Sequence, residues 1–417
     1  MQNWRRRIAE FCVYCLLAVT VNTAVLASEP TALQAGRKWN GSTVRLLISG
    51  SLRQQSTAIK AGTDIDAAVK AAVSPWETSV DIRLVFTDST LESVSNSRSG
   101  GDGASLITVA ATSENLALFP EQENSAPAYT RLFYDRRGAI IEADVVLNPY
   151  IQFSSDETPG TFDLQSVLTH EFGHVLGLKH SPVVSATMYG RLSPNRERST
   201  KGIEARTLAA SDISAARAIY GPGSSVAECC AAVLGTLSGP IGATGVVWVE
   251  EADSGRLVAA EEYGNGSFNL SGFAPGRYRL LAQGARQRGA TQIFEKDVDL
   301  PASVRKTLVA PATDAEITLI GTNGELGVLS VNLTKGNSQQ IFIGGTGLDP
   351  SKVTFGTSSR HLSIAAESTF PMNFGGAVTA AALTIAVDSD TPSGQYSIFV
   401  ETASGARKYL LGGLTID

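Results

Sequence analysis

Residues 170–180 read His-Glu-Phe-Gly-His-Val-Leu-Gly-Leu-Lys-His, and they contain three of the four histidines in the 417-residue chain. Positions four apart on an α-helix differ by only about 40° around its axis, so His170 and His174 point to one side. Glu171 lies about 100° from His170, which lets it reach a water at a metal but aims it poorly as a ligand. This spacing predicts a helix that carries two metal ligands and a general base.

The residues after this helix predict a third ligand. Gly177 lies where the helix must end if the chain is to return to the metal, and glycine accepts the left-handed conformation that such a turn needs. His180 then completes a three-histidine site whose fourth tetrahedral position is left for water, as in catalytic zinc sites. A structural zinc is the alternative, but it normally recruits a fourth protein ligand and gives Glu171 no role.

The extended pattern HExxHxxGxxH resembles the zinc signature of the metzincin metallopeptidases, which also place a methionine-bearing turn beneath the metal. Met188 lies eight residues past His180 and fits that turn, and the chain contains only three methionines. The resemblance implies one catalytic zinc ion held by His170, His174 and His180, with Glu171 as general base and Met188 in a structural turn.

Within the metzincins, the chain most resembles the matrixin branch. Residues 170–181 and the pair Met188-Tyr189 carry this resemblance, and residues 208–221 are similar to the closing helix of matrixin catalytic domains. Two adjacent positions of that helix are often acidic in the family. Here the first is Ser211, so Asp212 is the one acidic residue of the pair.

The matrixin resemblance covers residues 38–222 and implies an α+β metzincin domain, a twisted mixed sheet with the active-site helix. Residue patterns predict strands, a helix and a hairpin in the order 44–48, 64–73 (helix), 82–86, 105–109, 128–134 and 139–147. In the family an edge strand binds the substrate backbone, which the resemblance assigns to residues 128–134; an ordinary solvent edge is the alternative. Thr161 and Asp163 are both available to cap the active helix.

Other features of animal matrixins are expected to be absent or altered. A second, structural zinc needs further histidines, and only His361 remains, so we expect one zinc ion per chain. Asp102, Asp135 and Asp144 could join a calcium site, although isolated loop acids more often cap turns or face solvent. Residues 189–193 lack the proline and second tyrosine that commonly wall the specificity pocket, so the resemblance implies no specificity.

The amino-terminal residues predict where the protein works. Three arginines at positions 5–7 precede an apolar run over residues 11–26, which predicts a secretory signal peptide over residues 1–27. Polar residues interrupt the run and disfavour a permanent membrane anchor, so we expect a secreted protein, with the periplasm or the cell surface as possible sites. Cleavage removes three arginines and one glutamate, which changes the net charge from -6 to -8. This acidic balance argues against nucleic acid or an anionic membrane as partner.

The cysteines do not form a disulfide framework. Cys12 and Cys15 lie in the predicted signal peptide, which leaves only the neighbours Cys229 and Cys230. These two can form a vicinal disulfide, pair with other molecules or stay reduced, and the sequence leaves the three states open. Many matrixins are kept latent by a propeptide cysteine, but the short segment 28–37 contains none, so we expect no cysteine-switch latency.

Two further modules are predicted after a linker at residues 223–230. Residues 231–311 resemble a carboxypeptidase-regulatory or prealbumin-like β-sandwich, in which a Gly-Phe strand at 266–270 precedes a Pro-Gly-x-Tyr strand at 275–280. Residues 312–417 resemble an immunoglobulin-like β-sandwich of the IPT type. Neither shows a catalytic constellation, so we expect them to bind a surface or polymer ligand, or to space and stabilise the peptidase.

The sequence as a whole predicts a secreted zinc metalloendopeptidase that acts on protein or peptide substrates. In this mechanism Glu171 takes a proton from the attacking water and later gives it to the leaving amine. The alternative is a secreted adhesin or surface-binding protein whose peptidase-like domain is inactive. The intact Glu171 beside three intact ligands argues against this alternative.

Overall fold

The computed structural model describes residues 37–417 apart from residues 55, 120–125, 197–203, 225–228, 240–243, 286–287, 300, 310 and 376–377. The predicted signal peptide, residues 1–27, lies outside the described residues, as do residues 28–36 and part of the predicted linker. Within the described part of the chain, no helix is both long and apolar enough to cross a membrane.

A five-stranded sheet organises the first part of the described chain. Its strands are β1 (Thr43–Ser49), β2 (Arg83–Ser89), β3 (Leu106–Thr108), β4 (Ala128–Tyr134) and β5 (Ile140–Leu147), in the order β2-β1-β3-β5-β4. Four strands pair in parallel, whereas β4 is antiparallel to its hairpin partner β5. The predicted strands and hairpin are therefore confirmed, and β4 lies at an edge of the sheet. Two short strands, β6 (Phe153–Ser154) and β7 (Phe162–Asp163), form a separate parallel pair.

The described residues of this region also form the helices α1 (Ile65–Ser79), α2 (Ser113–Leu116), α3 (Leu164–Val175) and α4 (Ala210–Tyr220). The predicted end of α1 at residue 73 is wrong, because the helix continues through Pro75. Proline removes a backbone hydrogen bond inside a helix, but tertiary packing compensates. Trp76 is fully buried, and its indole Nε1 donates to the Thr169 carbonyl of α3 at 2.9 Å.

Helix α3, which carries the metal-site motif, lies in the middle of this core. Ten of its twelve residues are buried. Of the two predicted caps, Asp163 is the one used: its carboxylate accepts from the Ser166 amide at 2.9 Å and pairs with Arg206 at 2.6 Å. Because it is packed on nearly all sides and capped at its start, α3 holds its polar side chains at fixed positions.

Seven strands follow in the described residues, and they form two sheets. The strands β8 (Ala231–Ser238), β11 (Ser267–Phe273) and β14 (Ala302–Thr307) form one sheet; β9 (Thr244–Glu251), β10 (Leu257–Gly264), β12 (Gly276–Gly284) and β13 (Ala290–Val298) form the other. Apolar side chains of both sheets, such as Val233 and Leu280, share one buried cluster. Just before β8, Cys229 and Cys230 are joined by a disulfide, one of the three states that the sequence left open.

Two more sheets complete the described chain. One contains β15 (Glu316–Gly321), β17 (Ser338–Thr346), β19 (Leu362–Ile364), β20 (Phe370–Met372) and β21 (Thr379–Val387); the other contains β16 (Val331–Leu333), β18 (Val353–Thr357), β22 (Gly394–Thr402) and β23 (Arg407–Ile416). They share a further apolar cluster that includes Leu383 and Tyr396. The chain thus joins a mixed-sheet region to a large β-rich region with several sheets, and its described residues form one compact unit.

Candidate metal centre

The three predicted ligands His170, His174 and His180 come together in the structure. One ring nitrogen from each lies within 4.8 Å of those of the other two. The Nε2 atoms of His174 and His180 are 3.3 Å apart, close to the separation of two ligands about 2.0–2.1 Å from one tetrahedral zinc ion. The structure therefore brings the three histidines close enough to hold one metal ion.

Backbone carbonyls orient two of the imidazole rings. Nδ1 of His170 lies 2.6 Å from the Thr187 carbonyl, and Nδ1 of His174 lies 2.8 Å from the Leu178 carbonyl. A carbonyl only accepts, so each Nδ1 carries the proton and each Nε2 keeps its lone pair for a metal. The fold thereby sets the tautomer that a metal ligand needs.

Burial also favours the neutral form of these rings. It lowers the pKa of His170 to about 4, with a further contribution from nearby His180 and an opposing one from the hydrogen bond to Thr187. It lowers the pKa of His174 well below the usual value. Three imidazole donors without a thiolate suit a zinc ion that keeps an open position, so the donor set fits the predicted metal.

Glu171 lies beside this cluster and is 3% exposed. The Thr130 hydroxyl of the edge strand β4 donates to Glu171 Oε2 at 2.5 Å. Burial raises the pKa of Glu171 to about 7, and the hydrogen bond from Thr130 opposes that rise. Sequence reasoning missed Thr130, because a threonine in a strand 41 residues before Glu171 gives no local signal.

Two glycines let the chain return the third ligand. Gly177 has φ +88°, and a Cβ there would lie 2.8 Å from the Arg37 carbonyl oxygen, so both conformation and space require glycine. This confirms the predicted turn after α3. Gly190 packs against the ring of His180, since a Cβ at this position would lie 3.0 Å from its Nδ1.

Met188 lies in a turn that packs against α3, the helix that carries His170 and His174. It is 1% exposed, and a Cβ on Gly173 of α3 would lie 2.2 Å from its Sδ. Asp212 of α4 fixes the turn: its carboxylate accepts from the amides of Thr187 at 2.8 Å and Met188 at 3.1 Å. Burial raises the pKa of Asp212 to about 6, against the effect of the backbone hydrogen bonds, of which that from Ala209 is the largest.

The acids considered for calcium serve the backbone instead. Asp102 and Asp135 accept hydrogen bonds from amides in their own turns, and Asp144 accepts from the amides of Ser95 and Leu106. In the part of the chain that the structure describes, these three acids do not join a group of close metal-ligating atoms. A second such group does occur away from α3, formed by His361, Asp388 and Asp390.

Comparisons with known proteins agree with the geometry of this site. The matrixin family model (Peptidase M10) matches residues 121–221. The chain is 29% identical to Metalloendoproteinase 1-MMP of Arabidopsis thaliana over 210 residues, which cover 49% of this chain and 50% of that protein. It is 44% identical to Metalloendoproteinase 4-MMP of the same organism over 48 residues, 12% of this chain and 14% of that protein. These similarities support a zinc metallopeptidase.

The matches cover limited parts of the proteins. The chain spans half of the first relative and 14% of the second. Among solved structures, SGBP-B from a Bacteroides ovatus mixed-linkage glucan utilization locus, in complex with a mixed-linkage heptasaccharide, aligns at 14% identity over 45% of this chain and 43% of that chain. Its TM-score of 0.17 is too low to support an argument about fold or ligand.

Proposed function

We propose that this protein is a secreted zinc endopeptidase that hydrolyses protein or peptide substrates. The observation that carries the proposal is the convergence of His170, His174 and His180 beside the buried carboxyl group of Glu171. The matrixin family match supports the same reaction. Secretion rests on the signal peptide that the sequence predicts over residues 1–27.

The chemistry divides between the metal and the chain. A zinc ion held by His170, His174 and His180 would polarise a carbonyl as a Lewis acid and would make a water molecule more acidic. Glu171 lies beside the ligands, where it accepts the proton of the attacking water and returns it to the leaving amine. Thr130 fixes this carboxyl group, because its hydroxyl donates to Oε2.

We further propose that substrate binds along β4. This strand is at the edge of the described sheet, so one side of its backbone is available to pair with an extended peptide. Thr130 lies in β4 and contacts Glu171, so a peptide paired with this strand passes close to the general base. The proposal gives the metzincin domain, residues 38–222, a direct path for its substrate.

The β-rich region is proposed to form the two predicted sandwich domains, residues 231–311 and 312–417, after the linker 223–230. Two separate apolar clusters, one in each range, support this division. We also propose that these domains bind a surface or polymer ligand, or that they space and stabilise the peptidase.

Glu171→Gln tests the proposed function. Glutamine keeps the shape of the side chain but cannot take a proton, so we expect stoichiometric zinc and a loss of roughly 10²–10⁴ in turnover of a peptide library. Zinc content is measured by metal analysis, and a chelator should abolish cleavage by the unmodified protein. His174→Ala is the matched control, for which we expect loss of both zinc and cleavage.

One outcome favours the alternative function. Stoichiometric zinc in the unmodified protein without cleavage of any peptide would indicate an adhesin with an inactive peptidase-like domain. An unmodified protein that binds no zinc would overturn the metal centre itself.

A further inference from the structure

The segment that leads from His180 to Met188 is covered by the β-rich region. Val183 and Ala186 are buried together with Leu411 of β23, in a cluster that brings together residues far apart in sequence. Other members come from β9, β10 and β12, namely Trp248, Leu257 and Leu281. Residues of the β-rich region therefore help to bury the segment between His180 and Met188.

A bulge in β23 makes this contact. Tyr396 of β22 pairs with Leu414, whereas Ile398 pairs with Leu410, so residues 411–413 lie opposite a single residue of β22. Such bulges bend a strand and redirect its residues. The bulge places the Leu411 carbonyl 2.9 Å from the amide of Val184, which donates to it.

Gly412 brings the two backbones into close approach. It has φ +64°, and a Cβ there would lie 2.4 Å from Val183 Cγ1 and 2.6 Å from Ser185 Oγ. Both distances are far below van der Waals contact, so a side chain at position 412 must displace the side chains of Val183 and Ser185. The close fit between the bulge and this segment therefore depends on glycine at position 412.

A second contact reaches the same turn through α4. The Ser214 hydroxyl of α4 donates to the Ser271 carbonyl of β11 at 2.7 Å. A Cβ on Gly272, which has φ +88°, would lie 2.2 Å from the Ser214 carbonyl oxygen. Asp212 of the same helix binds the amides of Thr187 and Met188, so α4 is fixed between the turn and β11.

We propose that the β23 bulge, residues 411–413, is a positioning element of the metal centre. It holds segment 183–186 in place. Because this segment connects His180 to Met188, it fixes the positions of both residues relative to α3. The Thr187 carbonyl that orients His170 follows directly on this segment. The proposal rests on the proposed function only in that the three histidines bind zinc, and it makes zinc affinity a property of the C-terminal strand as well.

Gly412→Ala tests the proposal, with Gly405→Ala as its matched control. Gly405 has φ +79° in the turn just before β23, but a Cβ there meets nothing within 4 Å. Both variants carry the same kind of left-handed backbone strain, and only Gly412→Ala adds an atom that collides with the side chains of Val183 and Ser185. Zinc affinity is measured by competition with a chromogenic chelator, and the absorption spectrum of the Co²⁺-substituted protein reports the geometry of the ligands.

We expect Gly412→Ala to weaken zinc binding about 10- to 100-fold, the range typical for loss of outer-shell support of metal ligands. Its Co²⁺ spectrum should differ from that of the unmodified protein, whereas Gly405→Ala should match the unmodified protein in both measurements. Far-UV circular dichroism establishes that each variant is folded. If Gly412→Ala does not fold, Leu411→Ala serves instead, because it trims the buried contact without adding an atom; we expect weaker zinc binding of the same sign.

The outcomes separate this inference from the proposed function. Folded Gly412→Ala protein, or Leu411→Ala in its place, with the zinc affinity and Co²⁺ spectrum of Gly405→Ala would overturn the positioning role and leave the peptidase proposal intact. Absence of zinc binding in the unmodified protein would overturn both.

Discussion

At the scale of single residues, Asp144 shows how a buried acid stabilises this fold. It has no exposed surface, and its carboxyl group accepts from the amides of Ser95 at 3.1 Å and Leu106 at 3.0 Å. Burial raises its pKa to about 7; these two hydrogen bonds oppose the rise, and the nearby charges of Glu142 and Asp102 add to it. The Ser95 loop and the start of β3 are therefore attached to β5 through a carboxyl group whose pKa is raised to about 7.

Asp144→Asn should change how stability depends on pH. The pKa of Asp144 is higher in the folded protein than the roughly 3.9 of an unfolded chain, so its contribution to stability is complete below about pH 4 and is lost as the pH rises through about 7. Between pH 5 and pH 8 we expect the free energy of unfolding of the native protein to fall by roughly 2–3 kcal/mol relative to Asp144→Asn. Urea denaturation at both pH values measures this difference.

Comparison with the variant cancels the titration of the groups that both proteins share, including the histidines. Asp135→Asn is the control, because Asp135 accepts from the Arg137 and Ala139 amides of its own turn and is not among the groups that shift the pKa of Asp144. It should leave the pH dependence almost unchanged. A difference between Asp144→Asn and the native protein that stays constant from pH 5 to pH 8 would refute the assignment.

Sequence reasoning at this scale found the residues that share a local pattern. His170, Glu171 and His174 stand on one helix, and helical periodicity fixes their mutual positions. Thr130 and Asp212 complete the site from other elements through hydrogen bonds that span 41 and 24–25 residues. Their residue types are common in strands and helix starts, so local periodicity does not show that either residue reaches the metal-site motif. Only the assembled fold brings them to the motif.

At the scale of secondary structure, the turn that contains Met188 packs closely against α3 at Gly173. A Cβ there would lie 2.2 Å from Met188 Sδ and 2.9 Å from Trp76 Cζ2, and both neighbours are buried. A glycine inside a helix costs about 1 kcal/mol relative to alanine. The close approach of the turn explains why the helix carries a glycine at this position.

Gly173→Ala should therefore destabilise the protein although alanine is the better helix former. We expect a net loss of roughly 1–2 kcal/mol in the free energy of unfolding, because overpacking costs about 1–3 kcal/mol and the gain in helix propensity offsets part of it. Denaturant unfolding measures the loss. The double variant with Met188→Ala should be less destabilised than the sum of the two single variants, since truncation of Met188 makes room for the methyl group added at position 173, which in turn fills part of the cavity. Additive effects would argue against contact between the two side chains.

Sequence patterns also located most elements of this region. The predicted strand 44–48 falls within β1, and the predicted strand 82–86 overlaps β2. Both were predictable because alternating apolar residues mark half-buried strands. The end of α1 was not predictable, since Trp76 holds the helix beyond Pro75 through a hydrogen bond to Thr169. Local propensity sets where an element begins, and packing against distant residues decides where it ends.

At the scale of the whole molecule, the β-rich region packs on the mixed-sheet region in ways that no periodicity indicates. The bulge at residues 411–413 appears in the sequence only as two adjacent glycines, which mark a turn or a kink without naming its neighbour. No sequence pattern predicts the contact of Gly272 with Ser214 either. The composition of residues 223–230 predicts a linker, but it carries no information on whether the regions on either side pack against each other.

These contacts couple the metal centre to the distant strands. A ligand that binds only the folded state stabilises whatever unfolds together with its site, by about 4 kcal/mol when it is present at a thousandfold excess over its dissociation constant. The described residues form one compact unit. Coupling between two parts of a molecule is reciprocal in free energy, so a strand that supports the zinc site must itself be stabilised by zinc.

Removal of zinc should therefore lower the stability of β22 and β23 as well as that of α3. We expect a chelator to reduce the hydrogen-exchange protection of amides in Gly394–Thr402 and Arg407–Ile416 by the same factor as in Leu164–Val175. Exchange with and without chelator, followed by mass spectrometry of peptides from each element, measures the three factors. His174→Ala protein, which should lack the metal from the start, is the control and should not respond to chelator. Loss of protection confined to residues 164–190 would mean that the β-rich region unfolds independently. The apolar cluster of Val183, Trp248 and Leu411 would then contribute too little free energy to make the two regions unfold together.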